Sequence, residues 1–148
     1  MMRMGAFLLL AATLGCGAKD GPESSPPDAD GAAAGATLAS SVEVEVRGDT
    51  VRMVLHVTNP TNQPVTLEFN SGQRYDFAIR TAAGADVWTW SADKQFAQML
   101  GTETIAPGAT LDYTETWTAG QQRGSFVAIA RLASTSHPIR EQAAFQIP

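Results

Sequence analysis

From Val42 the chain alternates apolar and polar residues with a period of two, and no other feature constrains its fold as strongly. Val42, Val44 and Val46 are interleaved with Glu43, Glu45 and Arg47. Successive side chains of a strand point to opposite faces, so this spacing specifies a strand with one buried face. Gly48-Asp49 reads as a tight hairpin turn. The return strand sets Val51, Met53, Leu55 and Val57 inward, with Arg52, Val54 and His56 outward.

The alternation continues. Asn59-Pro60-Thr61-Asn62-Gln63-Pro64 is a turn cluster, because proline fixes φ and asparagine tolerates left-handed backbone. Val65, Leu67 and Phe69 predict a third strand, and Tyr75, Phe77 and Ile79 a fourth. A fifth runs from Asp86 to Trp90, and a sixth carries Leu111, Tyr113 and Trp117. Phe126–Leu132 is apolar on both faces, as expected of a strand central to a sheet, and Phe145 and Ile147 close the chain with a last strand. Between them, Ser91–Leu100 is expected to form the one helical turn. Ser91 would cap it, and Phe96, Met99 and Leu100 recur at three- and four-residue spacing. Seven or eight short strands with frequent turns predict an all-β chain folded as an antiparallel β-sandwich.

The N-terminus is of another kind. Arg3 precedes a ten-residue apolar run, Gly5 to Leu14. As a helix that run would span roughly 15 Å, about half a bilayer core, which suits a secretory signal better than a membrane span. Leu14-Gly15-Cys16 resembles the lipobox of bacterial lipoproteins, although Thr13 stands where that family usually has leucine. The resemblance implies cleavage before Cys16, a diacylglycerol on its thiol and acylation of the new amine. Each buried methylene contributes about 0.8 kcal/mol, so two or three chains would anchor the protein firmly. Gly17 is not the aspartate that marks inner-membrane retention in many Gram-negative lipoproteins, so in a Gram-negative cell the outer membrane is expected over the inner. The stretch from Gly17 to Ala36 has no Val, Ile, Leu, Phe, Trp or Tyr and reads as a flexible acidic tether with a reach of roughly 25 Å. The expected organisation is a signal over residues 1–15, the lipidated Cys16 and tether over 16–37, and one domain over 38–148.

Composition removes several function classes. The 148 residues include 15 acidic and 10 basic ones, a formal charge of −5, and a nucleic-acid binder would normally show a basic face. From Leu38 the balance is 11 acidic to 8 basic residues, so much of the acidity belongs to the tether. One cysteine permits no intramolecular disulfide and no cysteine-based zinc site, and two histidines, His56 and His137, argue against a histidine-rich metal centre. His56 is expected on the solvated face of its strand and His137 in a turn. Asp76 and Asp93 are carboxylates with no spacing that ties them to a histidine, and no nucleophile elbow, zinc-protease motif or phosphate-binding glycine loop is present. The reading is therefore of no enzyme, no metal and no cofactor. Trp88, Trp90 and Trp117 are expected in the core, with one of them at the rim, rather than lining a ligand groove.

Together, Leu55-His56-Val57-Thr58-Asn59-Pro60-Thr61, Val65 to Gln73, Tyr75-Asp76-Phe77, Val87-Trp88-Thr89-Trp90-Ser91, Phe96, Ala106-Pro107-Gly108 and Trp117 resemble the bacterial intracellular proteinase inhibitor (BsuPI) domain. The resemblance runs from about Val42 to Leu132. It implies an immunoglobulin-like sandwich and inhibition of a serine protease, but carries over no reactive residue. An inhibitor presents a preorganised loop to its protease. The best candidate lies within Ser91–Thr104, where Phe96, Met99 and Leu100 would enter an apolar specificity pocket. The default for that segment is a short helix capping the open end of the sandwich, with those side chains buried. The expected protein is a monomer whose partner is a serine protease. The alternative is a non-inhibitory envelope module that holds another protein by a sheet face or an open edge strand.

Overall fold

The computed structural model describes residues 37–148, so the export signal, Cys16 and all but the end of the tether lie outside the described residues. Nine strands follow one another: β1 (Ala39–Arg47), β2 (Thr50–Thr58), β3 (Val65–Phe69), β4 (Tyr75–Thr81), β5 (Asp86–Thr89), β6 (Gly101–Ile105), β7 (Thr110–Thr118), β8 (Gly124–Leu132) and β9 (Ile139–Ile147). They form a three-stranded sheet β1-β2-β7, a two-stranded sheet β3-β6 and a four-stranded sheet β5-β4-β8-β9, with every pairing antiparallel. The chain is an all-β sandwich.

The alternation of the sequence dictates this arrangement. The β1–β2 hairpin pairs Arg47 with Thr50 across Gly48-Asp49. Gly48 takes φ +64°, a left-handed conformation that costs glycine little and other residues more. Val51, Met53, Leu55 and Val57 of β2 meet Phe77 and Ile79 of β4 and Phe126, Ala128, Ala130 and Leu132 of β8 in one core, which Leu67, Phe69 and Ile105 extend toward the β3–β6 ribbon. Each large side chain buried there contributes about 1.5–3 kcal/mol. β8 lies between β4 and β9, as its two-sided apolar character requires. Trp117 belongs to the core, while Trp88 and Trp90 are half-buried against it. Val54, though on the outward face of β2, is only 4% exposed; it sits mid-strand, flanked in register by Glu43 and Thr114.

Two expectations are corrected between β5 and β7. The helix over Ser91–Leu100 does not form. A single 3-10 turn covers Trp90–Asp93, and residues 94–100 have no regular structure. Ser91 does not cap a helix, because its N–H and hydroxyl donate to the two Asp76 carboxylate oxygens at 3.1 and 2.7 Å. The strand count rises by one, since the end of the expected loop is the strand β6, which pairs with β3 from Ile105↔Val65 to Gly101↔Phe69.

Candidate functional site

The segment 94–100 links the 3-10 turn that follows β5 to the start of β6 and is tied down on both sides. On the entry side the Lys94 N–H donates to the Ser91 carbonyl at 3.1 Å, and the Gly72 N–H donates to the Ala97 carbonyl at 2.7 Å. Phe96 is half-buried with its ring 5.7 Å from Trp90, which stacks on Tyr75 at 4.6 Å. Tyr75 in turn lies 5.7 Å from Phe77 and 5.0 Å from Tyr113, so a column of rings runs from the loop into the core. Lys94 lies over the Trp90 ring at 4.8 Å.

The exit side is held by Arg74. Its Nε donates to Glu103 Oε1 of β6 at 2.9 Å, its Nη1 donates to the Ser71 carbonyl at 2.8 Å, and its guanidinium covers the Phe69 ring at 4.4 Å. Gly101, the first residue of β6, lies directly beneath that guanidinium. A Cβ at this position would stand 2.5 Å from Nη2. Tyr113 donates to the other Glu103 oxygen at 2.7 Å, and Tyr75 donates to Glu115 at 2.6 Å. Arg74, Glu103, Tyr113, Tyr75 and Glu115 thus form the polar floor beneath the loop.

Burial and these carboxylate partners favour the neutral phenols. The Tyr75 hydroxyl is pushed from its ordinary 10.0 up to about 12, by burial first and then by the hydrogen bond and negative charge of Glu115. Tyr113 is pushed up further by burial and by Glu103. A phenol whose folded pKa is raised adds stability that is present below pH 10.0 and is lost as the pH rises through about 12. These are the chain's two tyrosines, so the phenolate absorbance of the native protein is expected to stay flat well past pH 10.0 and to rise together with unfolding. Half-titration near pH 10.0 in the folded protein would contradict the described packing.

Of the three apolar residues of the loop, Phe96 faces inward, whereas Met99 is 62% and Leu100 84% exposed. These two are the exposed large hydrophobic residues among the described ones. A groove of about 390 Å³ opens beside Leu100, lined by Phe69, Asn70, Leu100, Gly101 and Thr135 among others. Sequence reasoning missed Arg74, Glu103 and Glu115. The available signal was the two glutamates, which fall on the inward phase of β6 and β7.

The polar residues weighed for catalysis lie elsewhere or in structural roles. His56 accepts company from two carboxylates, with Nδ1 2.7 Å from Asp112 Oδ1 and Nε2 3.5 Å from Glu43 Oε2. Ser41 stands opposite it in register, but both ring nitrogens face carboxylates, so His56 is not placed to take a serine proton. The His137 N–H donates to Ser134 Oγ at 3.1 Å in a turn. Asp76 holds Ser91, and Asp93 lies 3.5 Å from Lys94. Among the described residues, no group of three or more His, Cys, Asp or Glu side chains is placed to hold a metal ion.

Among solved structures, the chain is similar to a penta-heme cytochrome c552 from Thermochromatium tepidum, with TM-score 0.47 and 8% identity over 73% of this chain and 39% of that one. It is similar to a β-glucosidase from Erythrobacter marinus, with TM-score 0.42 and 11% identity over 74% and 15% of the two chains. A third likeness is to β-glucosidase 3B from Thermotoga neapolitana, with TM-score 0.40 and 12% identity over 76% and 16%. The chain spans well under half of each of those proteins. No curated protein matches it. The intracellular proteinase inhibitor (BsuPI) family matches over residues 38–137, a stretch that begins just before β1 and takes in the loop, its floor and strands β1 to β8. That match spans more than half of the chain, and the chain belongs to the intracellular proteinase inhibitor (BsuPI) family.

Proposed function

We propose that this protein is an exported, lipid-anchored inhibitor of serine proteases that seats its 94–100 loop in the active-site cleft of the enzyme. The observation that carries this reading is the exposure of Met99 and Leu100 at the tip of a loop that Phe96, Ala97 and Arg74 hold in place. Exposed apolar side chains at fixed positions lower the ordering cost of binding, and they suit an apolar specificity pocket. The Gln98 and Met99 main chain makes no backbone hydrogen bond among the described residues, so it is free to pair with an extended strand of a partner. The test is to titrate the full chain against subtilisin-like and trypsin-like serine proteases and to follow peptide hydrolysis. Loss of activity at near-equimolar inhibitor is expected for at least one enzyme class, and neither inhibition nor complex formation across the panel would refute the reading.

The anchor rests on the sequence alone, on the apolar run that ends at Cys16. A Cys16→Ser variant is expected to leave the membrane fraction and to incorporate no labelled fatty acid. A variant that stays membrane-bound, with a wild type that takes up no label, would refute lipid attachment.

A further inference from the structure

We infer that Leu100 is the residue that enters the protease's specificity pocket, that the Leu100–Gly101 peptide bond lies at the catalytic serine, and that Arg74 is the positioning residue that keeps this bond from being lost. The inference rests on the loop being the protease-binding surface. Within the loop, Leu100 is the more exposed of the two apolar tips, at 84% against 62% for Met99. It also sits where the character of the chain changes. On its N-terminal side the Gln98 and Met99 main chain makes no backbone hydrogen bond among the described residues and is suited to lying along a protease cleft as an added strand. On its C-terminal side Gly101 is already part of β6, paired with Phe69 and overlaid by the Arg74 guanidinium. A bond at that junction has one half available to an enzyme and the other half fastened to the scaffold.

The fastening matters for the chemistry. The protease serine Oγ adds to the Leu100 carbonyl carbon, the C–N bond to Gly101 breaks, and the protease histidine delivers the serine proton to the departing Gly101 nitrogen. The products are an ester on Leu100 and a free amine on Gly101. In a substrate the amine diffuses away and water hydrolyses the ester. Here the pairing of Gly101 with Phe69 and the guanidinium above it, itself anchored to Glu103 and the Ser71 carbonyl, hold the amine beside the ester. It re-attacks the carbonyl, the peptide bond re-forms, and the serine recovers its proton. An intramolecular nucleophile in that position has an effective concentration far above that of a diffusing one, which favours resealing over release.

The test uses the full chain with a subtilisin-like protease that has an apolar specificity pocket, and reads both inhibition over time and the mass of the inhibitor recovered. Wild type is expected to inhibit durably and to return as intact chain plus a fraction cut only between Leu100 and Gly101. Arg74→Ala and Gly101→Ala, the second of which displaces the guanidinium without removing it, are expected to inhibit at first and then to be consumed at that bond at least ~10-fold faster than wild type. Leu100→Lys, at an exposed position where folding is not at stake, is expected to shift preference toward a trypsin-like enzyme by roughly 100-fold. Durable wild-type inhibition with no cut at this bond in any variant, or an unchanged preference in Leu100→Lys, overturns the assignment while leaving the loop reading intact. No inhibition by wild type overturns both.

Discussion

Replacing Asn59 with alanine is expected to lower the thermal unfolding midpoint by about 12 °C. Asn59 is fully buried, and its side chain uses its hydrogen-bonding capacity on the turn that follows β2. Nδ2 donates to the Gln63 carbonyl at 2.7 Å and to the Ile105 carbonyl at 3.0 Å, while Oδ1 accepts from the Thr61 N–H at 3.0 Å and the Thr61 hydroxyl at 2.7 Å. Its backbone adds two more links, its N–H to the Ala109 carbonyl at 2.9 Å and its carbonyl to the Gly108 N–H at 2.8 Å. One residue therefore ties the Asn59–Pro64 turn to the end of β6 and to the start of β7. Alanine keeps the backbone bonds and removes all four side-chain bonds. The two bonds to main-chain carbonyls contribute about 1 kcal/mol each net, the half-exposed Thr61 groups turn to water at little cost, and the orphaned Ile105 carbonyl adds about 1 kcal/mol of desolvation, so a loss of about 3 kcal/mol follows. In a domain of this size that is a shift of about 4 °C per kcal/mol. Asn59→Asp is expected to be no better, because a carboxylate cannot donate to the two carbonyls. Scanning calorimetry of both variants checks this; a fall of less than about 3 °C for either would show that the bonds to the two carbonyls carry little of the stability.

Changing Met99 and Leu100 together to serine is expected to weaken protease inhibition by about 10³-fold and to leave the unfolding midpoint where it was. Burying one such side chain contributes about 1.5–3 kcal/mol, so losing two from a protease pocket removes about 4 kcal/mol of binding. Both side chains are exposed in the free protein, so their removal is expected to alter stability by less than about 0.5 kcal/mol. The contrast with Asn59 is the point of the pair. One site supports the fold and the other is free of it, and the two readouts should move independently. An affinity change below about tenfold in the double variant would place the energetic centre of binding elsewhere.

What the sequence revealed and what it hid follow from which forces leave a periodic trace. β1, β2, β3 and β4 are visible because one face of each is buried in an apolar core, and burial selects Val, Leu, Ile and Phe at every second position. β6 escaped because its inward positions are Gly101, Glu103 and Ile105, of which only the last is apolar. Glu103 is inward because Arg74 and Tyr113 satisfy it, and those partners come from β7 and from the stretch before β4. The expected helix failed for a related reason. Phe96, Met99 and Leu100 have helical spacing, but only Phe96 finds an apolar surface, on Trp90, and a four-residue 3-10 turn is all that the segment forms. The turn at Asn59 was legible as a turn, while its burial was not, because the carbonyls that Asn59 serves belong to Gln63 and to the distant Ile105.

Hydrogen exchange on a complex of the full chain with a subtilisin-like protease whose catalytic serine has been replaced by alanine tests the central claim most directly. The inactive enzyme binds without cutting, so the footprint reports contact alone. Slowed exchange is expected at the amides of residues 97–102, with the edge strands β5 and β7 unchanged. Protection along β5 or β7 with the 97–102 amides unaffected would contradict this, and would instead favour a module that holds its partner by a sheet edge.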